Sequence, residues 1–327
     1  MGLKLHILNS DGYTIAILQH YSLDLAYGVE ENNFELSYTD ELPSDVRISN
    51  GCMWMIPDSE YGGIIDTIED DNGSITFQGR SWQGVLERKI LEPTAGQDYL
   101  RVQGSLSTVL ADLVARCHLS TLIEADSELV SVTVSYQFNR YVSLYSGLRS
   151  LFNAYQMTVV VYWDLSKNKL VLSARRQNKL TRASEQVDLK ATRVYRPVNH
   201  LIGLGQGELR NRATSHWYAD RQGNVSQSQT LTGVDEVEEI YDYSSEDNAK
   251  LADDTRKKLL EYQNESKAEL TLNDPTDDLY VGDIVSAYSP VTGLSLTNPV
   301  GKKVVTIDDG VLSVDYTLTS KITVTNY

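Results

Sequence analysis

Apolar and polar residues alternate through much of the first 77 positions, as in YTIAIL from Tyr13, FELSY from Phe34 and SITFQG from Ser74, which predicts half-buried strands. Asp70, Asp71, Asn72 and Gly73 stand before the last of these runs and predict a hairpin turn. From Ser105 the period becomes helical: Leu106, Val109, Leu110, Leu113, Val114 and Cys117 share one face, with Ser105 as N-cap, so a helix is expected over 105–117. Leu144, Leu148, Leu151, Phe152 and Tyr155 repeat the pattern. TVVVYW and KLVLSA then flank a turn at Asp164–Lys169 and predict a hairpin whose apolar strands the two helices cover. Leu251, Thr255, Leu259 and Tyr262 mark a further helix, introduced by Ser244 and Asp247 as a capping-box variant. After Pro275, the runs IVSAY, KVVTID, LSVDYTL and KITVTNY read as short closing strands, spaced as in a small barrel or sandwich.

These periods predict a β-rich α+β chain in three parts. Residues 1–80 form a first β domain, 81–184 an α/β unit, and 185–327 a second β domain with a helical insertion at about 244–264. A chain of 327 residues is long enough to bury roughly two cores. No run approaches the roughly 18 apolar residues of a membrane span, and Met1 to Leu8 lack the apolar block of a signal peptide. His6 stands where a myristoylation signal needs Ser or Thr. Synthesis in the cytoplasm, without insertion of this chain into a membrane, is the expectation. Cys52 and Cys117 alone exclude a disulfide framework, and both are expected to be reduced.

The formal charge of −16 opposes nucleic-acid binding, because affinity for phosphates comes from Lys and Arg displacing condensed counterions. The same sign suits a conduit past which DNA slides without adhering, and equally suits simple solubility. The 20 tyrosines are open to two readings, partly wet protein interfaces or the ordinary strand preference of the residue.

Little in the chain reads as catalysis. In GRSWQG, Ser81 lies between a strand and a helix as a hydrolase nucleophile would, but Gln83 occupies the position that requires Gly; an N-cap role is expected instead. GLGQG at Gly203–Gly207 lacks the third glycine of a dinucleotide loop, since Glu208 stands there, and reads as a strand or bulge closely approached by other backbone. The acidic stretch Glu69–Asp71 lacks the rest of a calcium loop. His6, His20, His118, His200 and His216 form neither HExxH nor a zinc spacing. His200 is expected to be a hydrogen-bonded core residue, and Ser215 beside His216 has no recognisable orienting partner. The expectation is therefore no catalytic, cofactor-binding or metal residue.

Three stretches, ITFQGRSWQGVLERKIL from Ile75 to Leu91, NHLIGLGQGEL from Asn199 to Leu209, and YVGDIV from Tyr280 to Val285, resemble segments of the tail-tip hub proteins of long-tailed phages and prophages. These are related to the N-terminal part of tail-associated lysins and, more distantly, to the contractile-tail baseplate hub. The resemblance implies two β-barrel-like tube domains with an α/β domain between them, and a structural virion protein that forms a homotrimer. It also implies docking on the distal tail protein and tail tube, contact with the tape measure protein, and anchoring of a separate fibre or receptor-binding protein. DNA would pass through during ejection. Three copies would bring 3 × −16 = −48 formal charges to the ring. Many relatives continue into a peptidoglycan-cleaving or receptor-binding region; this sequence stops at Tyr327, so no lytic activity is expected. The rival readings are a cell-wall or glycan hydrolase using Ser81 or an unrecognised carboxylate pair, and a carbohydrate receptor-binding module with Trp54, Trp163 or Trp217 as stacking platforms.

Overall fold

The computed structural model describes residues 3–38, 40, 46–71, 73–183, 188–192, 197–243, 248–263, 267–271, 278–288 and 295–318. Asn72, Ser244, Asp247, Pro275 and the KITVTNY run, all used in the sequence-based expectations, lie outside them. The chain divides into two compact units. The first draws on Met1–Asp188, Thr271–Ser286 and Thr297–Lys321, the second on Leu189–Leu270, Ala287–Leu296 and Ile322–Tyr327.

The first unit begins with the expected strands: β1 (Leu5–Leu8), β2 (Thr14–Leu18), β3 (Ser22–Gly28), β4 (Asn32–Tyr38), β5 (Met53–Met55), β6 (Gly62–Asp71) and β7 (Ser74–Ser81). Alternation sends Leu23, Leu25, Phe34, Leu36 and Phe77 into the core. β6 and β7 form the expected hairpin, with Asp71 opposite Ser74, and a bulge between Ile65 and Thr67. Arg80 holds Asp66, within that bulge, in a two-pronged ion pair at 2.7 and 2.8 Å. α1 (Trp82–Glu87) follows at once, capped by Ser81, whose Oγ accepts from Gly84 N at 3.2 Å. A Cβ at Gly84 would collide with the Asn32 carbonyl oxygen, so glycine lets α1 lie directly against β4.

The helical stretch that follows contains β8 (Ile90–Leu91), β9 (Arg101–Ser105), α2 (Leu106–Arg116), β10 (Ile123–Ala125), β11 (Thr133–Gln137), β12 (Val142–Ser143), α3 (Leu144–Ala154), β13 (Met157–Asp164), β14 (Lys169–Arg176) and β15 (Lys179–Ala183). Both long helices start at serine caps: Ser105 Oγ accepts from Thr108 N and Ser143 Oγ from Ser146 N. β13 and β14 form the expected hairpin, and β10 adds in parallel to β14. Leu110, Leu113, Leu148, Leu151, Val161 and Leu172 belong to one buried cluster that also takes in Trp82. Trp82 stacks on Trp163 with ring centres 5.8 Å apart. Ile90 is half exposed: α1 ends at Glu87, Ile90 opens β8, and the two-residue period turns it outward while Leu91 turns in.

The second unit contains β16 (Asp188–Thr192), β17 (His200–Leu204), β18 (Thr214–Ala219), β19 (Val225–Ser226), β20 (Glu238–Asp242), α4 (Asn248–Gln263) and β21 (Lys267–Thr271). Four strands make a sheet in the order β19-β18-β17-β20, with β17 parallel to β20. α4 packs on this sheet through its predicted face, where Leu251, Thr255 and Leu259 are buried. The close approach expected at the glycine-rich stretch is real: backbone makes it at Gly207, where the Asn211 carbonyl stands in the place of a Cβ, and helix side chains make it at Gly203 and Gly205. A Cβ at Gly203 would strike Thr255 Oγ1, which donates to Leu251 O at 2.6 Å. The core here is thin, with Leu201, Ala219 and Leu259 at its centre.

The chain then supplies β22 (Ile284–Tyr288), β23 (Ser295–Asp308) and β24 (Val311–Leu318). Alternation predicted these strands, and pairing places β23 and β24 in one sheet with β3. β23 lies antiparallel to β3, with Lys302 opposite Gly28 and Asp308 opposite Ser22. They complete an eleven-stranded sheet of order β15-β22-β23-β3-β4-β7-β6-β5-β1-β2, with β24 on β23. A two-residue period fixes which face a strand buries, not which strand lies beside it. Among the described residues no closed barrel is formed.

Candidate functional site

The residues weighed for chemistry in the sequence are dispersed. Ser81 is fully buried and its hydroxyl is engaged as a cap, which leaves a hydrolase nothing to attack with at that position. Trp54 and Trp163 are buried, and only Trp217 is partly exposed, so the aromatic platforms are mostly inside the protein. Cys52 and Cys117 are buried free thiols, and burial pushes the Cys117 thiol up from its ordinary value. Glu69, Asp70 and Asp71 are exposed at the β6–β7 hairpin. His6 pairs with Thr14 at 3.3 Å, His20 lies 3.2 Å from exposed Asp309, and His118 is exposed just beyond α2. No helix among the described residues is long and apolar enough to cross a membrane.

Two polar clusters do assemble. In the first unit, the YVGDIV stretch is a junction. Asp283 is fully buried; Oδ1 accepts from Asn178 N at 2.8 Å, Oδ2 accepts from Tyr280 N at 2.9 Å, and Arg175 forms an ion pair with the same carboxylate. The Arg175 guanidinium also lies over the Tyr280 ring at 4.1 Å. Gly282 N donates to Val300 O and Ile284 N to Asn178 O, both at 2.8 Å, which ties the turn to β23 on one side and to the end of β14 on the other.

Beside it Lys303, on β23, is almost fully buried with its Nζ 3.3 Å from Glu60 Oε1 and 3.7 Å from Asp278 Oδ1. Its ammonium lies 5.3, 5.5 and 5.7 Å from the ring centres of Tyr61, Tyr280 and Tyr316. Tyr27 donates to the same Glu60 oxygen. Burial by itself disfavours the charged lysine, but Glu60, the two phenols of Tyr61 and Tyr316, and Asp278 outweigh it, so the ammonium is held above its ordinary value. Burial moves the Glu60 carboxyl up despite the pull of Lys303, and pushes the Tyr280 phenol to about 12. The cluster is an internal lock in which the buried Asp283, Glu60 and Lys303 are paired.

The second cluster lies in the second unit, at the start of the parallel pair β17 and β20. His200 N and Asn199 N both donate to Val237 O, at 3.1 and 2.9 Å, and Val237 N donates back to Asn199 Oδ1 at 3.1 Å. This clamp fixes Val237, so the side chains two apart on either side of it, Glu236 and Glu238, turn to the same side. Both reach His200 Nδ1, at 2.8 and 2.9 Å. Nε2 of the same ring lies 3.0 Å from His216 Nδ1, and the ring stacks on Tyr218 at 4.3 Å. His200 is thus the buried, hydrogen-bonded histidine expected, with a carboxylate pair that the sequence reading missed. Glu-x-Glu ahead of a strand is a signal, but its histidine is 36 positions away and is reached only through the parallel pairing.

No family model matches the sequence, and no characterised protein matches it in sequence. Solved structures do match in shape. Prophage tail protein gp18 from Listeria monocytogenes EGD-e is 10% identical, with 98% of this chain and 95% of that one covered at a TM-score of 0.50. The 43 kDa tail protein of prophage MuSo2 from Shewanella oneidensis is 14% identical over 97% of this chain and 98% of its own, at a TM-score of 0.45. A chain of the phage P2 baseplate in its activated conformation is 12% identical over 96% and 98%, at 0.47. The chain therefore has the fold of a prophage tail protein.

Proposed function

We propose that this protein is a structural component of a phage or prophage tail, acting as the hub of the tail-tip baseplate rather than as an enzyme. The observation that carries the reading is the match to prophage tail protein gp18 over nearly the whole of both chains. Burial of Ser81, Trp54 and Trp163 removes the main support for the hydrolase and carbohydrate-module readings. In the proposed assembly three copies close a ring through their strand-rich regions, as barrel-like tube domains do, and the helical stretch of 81–184 lies at the periphery. The ring continues or closes the tail tube, docks on the distal tail protein, meets the tape measure protein and anchors a separate fibre. Its net charge of −16 per chain disfavours adhesion of DNA moving through the channel.

The test is the mass in solution, by light scattering, of the pure chain alone and mixed with the distal tail protein of the same phage or prophage. The expected result is a trimer, formed alone or on mixing, in a stable complex with that partner. Persistent monomer without complex formation would sink the proposal, as would appreciable peptidoglycan hydrolysis by the pure chain.

A further inference from the structure

The His200 cluster has an unbalanced charge. Glu236 and Glu238 converge on one imidazole, and among the described residues neither carboxylate pairs with a lysine or arginine. Their ligand atoms and His200 Nδ1 all lie within 4.8 Å of one another. We propose that His200, Glu236 and Glu238 bind a divalent transition-metal ion of the zinc type through His200 Nδ1 and one oxygen of each carboxylate.

The donor set fits such an ion. One imidazole nitrogen with two carboxylates suits zinc and its neighbours, whereas calcium and magnesium take oxygen ligands. Zinc bonds of about 2.0–2.2 Å at tetrahedral angles set neighbouring ligands about 3.3–3.5 Å apart. The present 2.8 and 2.9 Å are hydrogen-bond distances, so each carboxylate must draw back by about half an ångström to admit the ion. Glu238 is 57% exposed and free to do so, and water can fill the fourth position from that side. The remaining partners are already placed. The Asn199–Val237 clamp sets the two carboxylates, Gln229 Nε2 donates to Glu236 Oε1 at 2.7 Å, and Tyr218 and His216 hold the imidazole plane.

The proton balance is explicit. Carboxylates only accept, so Nδ1 of neutral His200 carries its proton and His216 Nδ1 donates to His200 Nε2. When the metal takes Nδ1, the His200 proton moves to Nε2 and is donated to His216 Nδ1, and the His216 proton moves to its own Nε2. Two imidazoles switch tautomer and no proton is lost.

The experiment uses the untagged full chain, stripped with a chelator and titrated with zinc by calorimetry at pH 7.5, with nitrogen-15 spectra of the histidines before and after. The expected result is one ion per chain at micromolar affinity, with His200 and His216 changing tautomer. Glu238→Gln, at an exposed position that leaves the fold intact by circular dichroism, should weaken binding by about tenfold or more. Absence of saturable binding up to millimolar zinc would overturn the proposal. So would unchanged affinity in the Glu236→Gln, Glu238→Gln double variant, or a His200 that keeps its tautomer when zinc binds.

Discussion

Both units collect carboxylates around a nitrogen base, but they balance the charge differently. In the first unit Lys303 gives Glu60 an internal cation, three rings surround the ammonium, and the large core around Trp82 belongs to the same unit. In the second, two carboxylates share one imidazole at the margin of a sheet whose buried centre is Leu201, Ala219 and Leu259. A completed ion pair under a thick core is a fastening; an incomplete one over a thin core is a place where something from outside can act. The contrast also locates stability: the first unit should resist opening, while the second depends on a few groups.

The largest effect should come from unbalancing the fastening. Lys303→Met leaves Glu60 buried without its cation and should cost about 3–5 kcal/mol, read from the denaturant midpoint; Glu60→Gln in the same chain should recover much of it. The lysine also predicts an alkaline limb. Lys303, Tyr27, Tyr61, Tyr280 and Tyr316 all stand above their ordinary values of 10.5 for the lysine and 10.0 for the phenols. Each therefore favours the folded state fully below those values, and its contribution is lost as pH rises through the folded-state value. Stability should fall above about pH 10, and more gently in Lys303→Met.

Leu259→Ala should cost about 2–5 kcal/mol, and hydrogen exchange should show β17 and β18 losing protection while β3 and β4 keep theirs. Equal loss in both sets of strands would break the comparison. Gly203→Ala should cost about 1–3 kcal/mol through collision with Thr255, and Thr255→Ala in the same chain should relieve most of it. The smallest effect is Ser81→Ala, about 1 kcal/mol by loss of the α1 cap, measured by thermal midpoint.

What the sequence revealed follows the range of the interactions involved. Ser81 and Ser105 are read correctly as caps because a cap acts within three residues. The face of α4 is legible for the same reason, since Leu251, Thr255 and Leu259 mark it by their own spacing. Gly203 looked like a phosphate loop or a bulge; only the position of Thr255 shows that a missing side chain is what matters there. The partner of β23 and the convergence of His200 with Glu238 depend on contacts made far along the chain, and alternation is silent about those. The buried lock is distant in the same way, because Glu60 and Lys303 are 243 positions apart.

The pairing of β23 with β3 also sets a timetable. Ser22 Oγ donates to Asp308 Oδ1 at 2.6 Å across a separation of 286 positions. A nascent chain therefore leaves the ribosome with one edge of β3 uncovered until β23 has been translated, while every strand of the second unit's four-stranded sheet has already emerged. During that interval the open edge is the natural docking point for stray strands, so conditions that slow elongation between β3 and β23 should favour aggregation over soluble product.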